Sequence, residues 1–136
     1  MKRLVLDTNT VISAQFWKGP PRTVYDMVKA RKCQLLSSTE IETELIRVLG
    51  YPKFGLSAQE ILPIINDYNR CARKVDVTSH VEVVEKDLTD NIFLSCAVDG
   101  HADYVVSGDH HLLELQSYQD ILIVTANQFL QLEGLN

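Results

Sequence analysis

Short apolar runs that stop abruptly at an aspartate constrain this chain more than any other feature. Residues 3–6, Arg-Leu-Val-Leu, end at Asp7-Thr8-Asn9, and residues 104–107, Tyr-Val-Val-Ser, end at Gly108-Asp109. A continuous run of this length, rich in branched side chains and bounded by turn formers, predicts a strand buried on both faces. Asp, Thr and Asn directly behind it are the residues that cap a following helix.

Between these runs the apolar residues recur at helical spacing. A helical piece over 11–16 is broken by Gly19-Pro20-Pro21 and resumes over 22–31 with Val24, Tyr25 and Val28 on one side. Residues 34–36 predict a second strand, and Ser37-Ser38-Thr39 then caps a helix whose face is Ile41, Leu45, Val48 and Leu49. Ser57 with Glu60 three residues on is a capping box, opening a helix that carries Ile61, Ile64, Ile65 and Tyr68 to about residue 73. Residues 74–78 alternate weakly and predict a third strand, and 79–88 reads as a loop. Asp90 precedes an amphipathic helix through Phe93, Cys96 and Ala97 to Gly100, and a short helix holds Leu112, Leu113 and Leu115. Residues 121–124 form a fifth strand and 126–132 a last helix. Strands alternating with helices imply an open α/β fold with a mostly parallel five-stranded sheet covered on both faces. With 136 residues, 46% of them hydrophobic, and no repeat or long linker, one domain over 1–136 is expected.

The apolar stretch after Met-Lys-Arg is cut short by Asp7, well before the length of a secretory signal, and no uncharged run reaches about 18 residues. A cytoplasmic protein without a membrane span is the expectation. Cys33, Cys71 and Cys96 are odd in number and irregularly spaced, so they read as small buried hydrophobes and not as a disulfide or zinc framework. His80, His101, His110 and His111 show no metal-binding spacing, and the adjacent pair His110-His111 should point apart on a helix.

Net charge is −5, but its distribution is uneven: all thirteen Lys and Arg lie at or before Lys86, and residues 87–136 carry eight acids and no base. Such a block repels a phosphate backbone unless cations neutralise part of it. In open α/β sheets, functional groups gather beyond the carboxyl ends of the strands. Asp7 and Asp109 both sit there and share one edge if their strands are neighbours. Their carboxylates would then repel and raise one another's pKa, a strain relieved by a shared proton or a bound cation. Glu44 borders the buried face of its helix, and Asp90 sits at a helix start, where amide dipoles favour its charge. Three or four oxygen ligands without a soft donor suit Mg²⁺ or Mn²⁺. Thr8, Asn9 and Ser107 can orient waters or a phosphate beside these acids.

The segments LVLDTNTVISA, SSTEIETELIRVL and DLTDNIFLSCAVDGHADYVVSGDHHLL, taken in this order, resemble the motifs of the PIN domain. The resemblance is strongest to the small prokaryotic members that serve as toxins of toxin–antitoxin pairs, and it spans nearly the whole chain. It implies a three-layer α/β/α sandwich with a central parallel sheet, Mg²⁺- or Mn²⁺-dependent endoribonuclease activity on RNA, a homodimer and an antitoxin protein as partner. Asp7, Glu44, Asp90 and Asp109 would be the catalytic, metal-binding quartet, with Asn9 and Ser107 as polar neighbours. Where the family often shows a DPDD-like stretch, this chain has Asp87-Leu88-Thr89-Asp90. Thr89 replaces an acid, and Asp87 becomes an outer-shell or substitute carboxylate.

Each acid also has an ordinary structural reading: Asp7, Asp90 and Asp109 as helix caps, and Glu44 as a solvated helix residue. Lys18, Arg22 and Arg47 are candidates for phosphate contacts or plain surface charge, and Phe16 and Trp17 for core packing, base stacking or a dimer contact. Two rival functions remain. Asp7-Thr8-Asn9-Thr10-Val11 resembles the DxDx(T/V) nucleophile motif of haloacid dehalogenase-type hydrolases, but Asn9 stands where the second Asp belongs and no Lys follows position 86. The other is a non-catalytic RNA-binding or protein-interaction module with an eroded site.

Overall fold

In the computed structural model, which describes residues 1–84 and 88–134, strands and helices alternate from one end to the other. They are β1 (Arg3–Leu6), α1 (Thr8–Phe16), α2 (Pro20–Lys29), β2 (Gln34–Ser37), α3 (Thr39–Leu49), α4 (Ala58–Cys71), β3 (Ala72–Lys74), α5 (Asn91–Asp99), β4 (Tyr104–Val106), α6 (His110–Leu113), β5 (Ser117–Tyr118), β6 (Ile121–Val124) and α7 (Ala126–Leu132). Single 3-10 turns lie at Pro52–Phe54 and Leu88–Asp90. The strand order is β3-β2-β1-β4-β6-β5. Starting from β1, the chain builds outward through β2 and β3, then returns to the other side of β1 with β4. The order therefore reverses between β1 and β4, where such sheets open a crevice at their carboxyl edge.

Successive residues of a strand face opposite sides of the sheet. Leu4, Val5 and Leu6 are all fully buried, as is Val105 beside Val106 on β4, so both faces of the central pair are covered. Helix α5 packs across β1, β2 and β4, and α2 packs against α1 and α7. The mostly parallel, covered sheet expected from the alternation is present, in the α/β/α arrangement that the resemblance implies.

Two strands differ from expectation. Among the described residues the sheet has six strands, not five, because Ser117–Tyr118 pairs antiparallel to β6, with Ser117 opposite Leu122 and Tyr118 opposite Ile121. Two residues leave no period to read. The third strand lies at Ala72–Lys74, not 74–78, since its register sets Ala72 against Leu35 and Lys74 against Ser37. After the last bond of that edge, from Val75 N to Ser37 O at 2.7 Å, the chain leaves the sheet.

The departing segment, read from sequence as part of a loop over 79–88, is a strap along α5 as far as residue 84; residues 85–87 lie outside the described residues. Asn91, Ser95 and Asp99 stand at four-residue intervals on one face of α5, and each holds backbone of the strap. Asp99 accepts from the N–H of Thr78 at 2.6 Å and of Ser79 at 2.8 Å, and Ser95 Oγ accepts from Val81 N at 3.1 Å. Asn91 accepts from Val84 N at 2.9 Å and donates to Val84 O at 3.0 Å and Leu88 O at 3.3 Å. The Ser79 hydroxyl, which also donates to Asp99, and then the Ser79 and Thr78 N–H groups hold the Asp99 carboxyl below its usual range, while Val81 and Val84 are buried in the core. Gly100 is needed where the strap begins: a Cβ there would stand 2.7 Å from Leu36 Cδ1 and 3.0 Å from Val75 Cγ2.

Asn91→Ala leaves the buried N–H and C=O of Val84 without their partner, and should lower stability by about 1–3 kcal/mol. Urea unfolding checks this: the midpoint falls at unchanged slope. An unmoved midpoint would show that the strap does not depend on this clamp.

Candidate metal centre

Parallel pairing of Leu6 with Val106 puts the next residues of both strands side by side at the open edge. Asp7 N donates to Val106 O at 3.1 Å, and the Ser107 hydroxyl donates to Asp7 Oδ2. Ser107 Oγ also accepts from Asp109 N at 2.9 Å. Both aspartates act as helix caps as well. Asp7 Oδ1 accepts from Thr10 N at 2.8 Å at the start of α1, and Asp109 Oδ1 accepts from His111 N at 2.8 Å at the start of α6. The capping role therefore coexists with a place in the cleft.

Asp90 arrives from the strap side. It occupies the cap position of α5 but makes no side-chain capping hydrogen bond, and it is 6% exposed in the cleft wall. Glu44 comes from α3, partly buried beside Leu45 as its spacing suggests. Its carboxylate accepts from Arg47 Nη2 at 2.8 and 2.9 Å and from Arg47 Nε at 3.1 Å, and Arg47 also donates to the Tyr51 hydroxyl. All four acids line one cleft of about 340 Å³, together with Thr8, Asn9, Arg47, Tyr51, Lys53, Thr89 and Phe93.

Two of these acids, Asp90 and Asp109, form a tight group with His111 of α6, each able to bring a ligand atom within 4.8 Å of the others. Asp7 and Glu44 lie outside this tight group but line the same cleft as Asp90 and Asp109. Thr8 Oγ1 is buried in the wall with no hydrogen-bond partner among the described residues. Converging carboxylates, an imidazole and an unsatisfied hydroxyl form a donor set that fits a hard or borderline divalent cation.

The electrostatics differ in cause from the expected mutual repulsion. Asp7 is raised above its ordinary value of 3.8, and the dominant cause is its own burial, opposed by hydrogen bonds from Ser107, Thr10 and Gly108. Charge on Asp109 is not among the causes. Desolvation alone makes the Asp7 anion costly where no cation compensates it.

His111 was passed over because adjacent residues of a helix diverge; here the rings of His110 and His111 lie 4.1 Å apart, and His111 Nδ1 is 3.6 Å from Asp109 Oδ1. Its place in the first helical turn, two residues behind a capping Asp, was the available signal. Tyr51 was also missed: it lies just past the end of α3, where its hydroxyl meets Arg47, itself three residues after Glu44 on the same helix face. Lys53 follows in the next turn. Arg22 is not at the cleft: its Nε and Nη2 donate to Ala14 O and Gln15 O, both at 3.0 Å, closing the end of α1. Lys18 is exposed and does not line the cleft. Cys33 and Cys96 are buried as expected, Cys71 only partly. Asp87 lies outside the described residues.

A buried acid with a raised pKa contributes stability that is full below its unfolded value and lost as pH rises through its folded one. In chelator at neutral pH, Asp7→Asn should therefore melt higher than the parent by about 2–6 °C. The gap should close as pH approaches the ordinary carboxylate value. A parent that outmelts the variant at neutral pH would mean that the hydrogen bonds to Asp7 outweigh its burial.

No helix among the described residues is long and apolar enough to cross a membrane. No curated protein matches the chain. The PIN domain family profile matches residues 3–111, which include β1, the strap, β4 and all four cleft acids. The chain belongs to the PIN domain family.

Proposed function

We propose that this protein is a Mg²⁺- or Mn²⁺-dependent endoribonuclease, hydrolysing phosphodiester bonds of RNA at the cleft between β1 and β4. The reading is carried by the convergence of Asp7, Glu44, Asp90 and Asp109 on one crevice at the switch point of the sheet. Asp90 and Asp109 would hold the cation with His111 beside them, and Asp7 and Glu44 would complete its oxygen shell directly or through water. A divalent cation bound there supplies Lewis-acid stabilisation of phosphate charge and activation of water as nucleophile.

The chain's own groups do the rest. Ser107 fixes the Asp7 carboxylate and, through the Asp109 N–H, the start of α6. Thr8 and Asn9 line the cleft, where their hydroxyl and amide would orient a phosphate oxygen or the attacking water. Arg47 and Lys53 supply positive charge in the lining of the same cleft, which lets a polyanion approach an acidic centre. The resemblance to small prokaryotic toxins extends the reading to an antitoxin protein as partner, and to a homodimer.

Thr89, standing where the related stretch carries an acid, lines the cleft and favours one alternative, a PIN-like module that binds RNA without cutting it.

Incubation with RNA in Mg²⁺, Mn²⁺ or EDTA tests the reading. Cleavage should require metal and fall by at least about 100-fold in Asp109→Asn, as when a group stabilising transition-state charge is removed. Cleavage that persists in EDTA, or stays undiminished in both Asp7→Asn and Asp109→Asn, would overturn it. Binding without cleavage in any metal would decide for the alternative module, and a phosphoenzyme on Asp7 for dehalogenase-type chemistry. Ser107→Ala, which touches no cation, should still weaken Mn²⁺ binding by roughly 10- to 100-fold, because the carboxylates it holds lose their orientation. A calorimetric titration with Mn²⁺ measures this.

A further inference from the structure

The aromatic residues at the end of α1 do not pack into the core. Trp17 is 60% exposed and Phe16 37%. Contiguous exposed apolar surface is where contacts form, whereas a single exposed apolar residue is ordinary, so the continuity of these rings with their neighbours is what counts. The pair is held in place: Trp17 N donates to Ser13 O at 3.0 Å, and the Arg22 guanidinium grips the carbonyls of Ala14 and Gln15. Phe16 meets Trp17 edge-on, with centroids 5.9 Å apart at 72°, and stacks with Phe54 at 6.1 Å and 16°. Lys53 Nζ lies 5.1 Å from the centre of the Phe54 ring, and Lys53 is itself a wall of the acidic cleft, beside Arg47 and Tyr51. A row of rings thus runs from Trp17 through Phe16 and Phe54 to a cation, and from the cation into the candidate active site.

Resting on the endoribonuclease reading, we propose that Trp17, Phe16 and Phe54 form a stacking platform for unpaired bases of an RNA strand whose backbone enters the cleft along Lys53 and Arg47. The substrate is accordingly single-stranded where it meets this surface. Two observations favour RNA over a protein partner: the rings are continuous with the cleft, and cations stand where the row joins it, complementary to phosphates. Every base offers a π-face, so stacking serves strands of any sequence. Paired bases within a duplex have no free face to offer.

Trp17 is the only tryptophan in the chain, so its emission reports this platform alone. In Asp109→Asn protein with Mn²⁺, a short oligouridylate should quench Trp17, and neither a duplex of equal length nor an abasic ribose-phosphate strand should do so. By anisotropy of the labelled oligonucleotide, Trp17→Ala should weaken binding at least about fivefold, and Trp17→Phe should restore most of it. Lys53→Ala should lower the slope of log affinity against log salt by about one. If the parent cleaves RNA while Trp17 emission stays unmoved and Trp17→Ala binds normally, the platform is wrong and the nuclease stands. Quenching without cleavage by the parent in any metal leaves the platform standing and removes the nuclease. Self-association that Trp17→Ala abolishes and RNA does not displace would make this surface a protein contact and overturn the proposal.

Discussion

The Ser107 hydroxyl donates to the carboxylate of Asp7 and accepts from the N–H of Asp109, tying the ends of two neighbouring strands to the starts of two helices. The rest of the cleft depends on this bridge. Parallel pairing of β1 and β4 brings the strand ends level, but it does not aim their side chains. Ser107 sets the rotamer of Asp7 from behind, and its second bond holds the turn that carries Asp109 and His111 at the cleft. A small hydroxyl that both donates and accepts meets this demand at a strand end that is 1% exposed.

Around this bridge the molecule gives up some local consistency. Elsewhere, capping boxes at Ser57 and Thr125, the Asn91 clamp and the Asp99 anchor satisfy their polar groups. At the cleft a carboxylate is buried at an energetic cost and the Thr8 hydroxyl has no partner among the described residues. Local rules fail most often where a site is built for something absent from the bare chain. The strap belongs to the same design: residues 78–84 are fixed along α5, the helix that Asp90 caps at the cleft.

The lopsided charge of the sequence finds its place in this geometry. Asp90 and Asp109 come from the stretch with no basic residue, whereas Arg47 and Lys53 come from the basic part of the chain, and the fold sets all four in the lining of one cleft. Acids and cations far apart in the chain thus meet where a metal and a polyanion must both be accommodated. The PIN domain match reaches only to residue 111, yet β6 beyond it pairs with β4 along its full length and helps bury the central strands.

Much of the fold was legible in the sequence because the signals were local. Apolar runs bounded by turn formers marked β1, β2, β4 and β6, and caps and periods marked the longer helices. Asp7 and Asp109 could be placed at strand ends on that basis alone, while Glu44 and Asp90 owed their selection to motif order. Local signals failed where partners decided the conformation. Ser117–Tyr118 is a strand only because β6 lies beside it, the third strand takes its register from β2, and the strap is ordered by three side chains of α5. The sequence by itself determined the element types, the strand-end acids and the division of charge, since these depend on neighbours a few residues apart. Tertiary structure alone decided that Asp90, Asp109 and His111 form the tight group, that burial and not repulsion perturbs Asp7, and that Trp17 stays in solvent. Distance, desolvation and exposure are set by residues about a hundred positions apart, as Ser107 is from Asp7, and no local period encodes them.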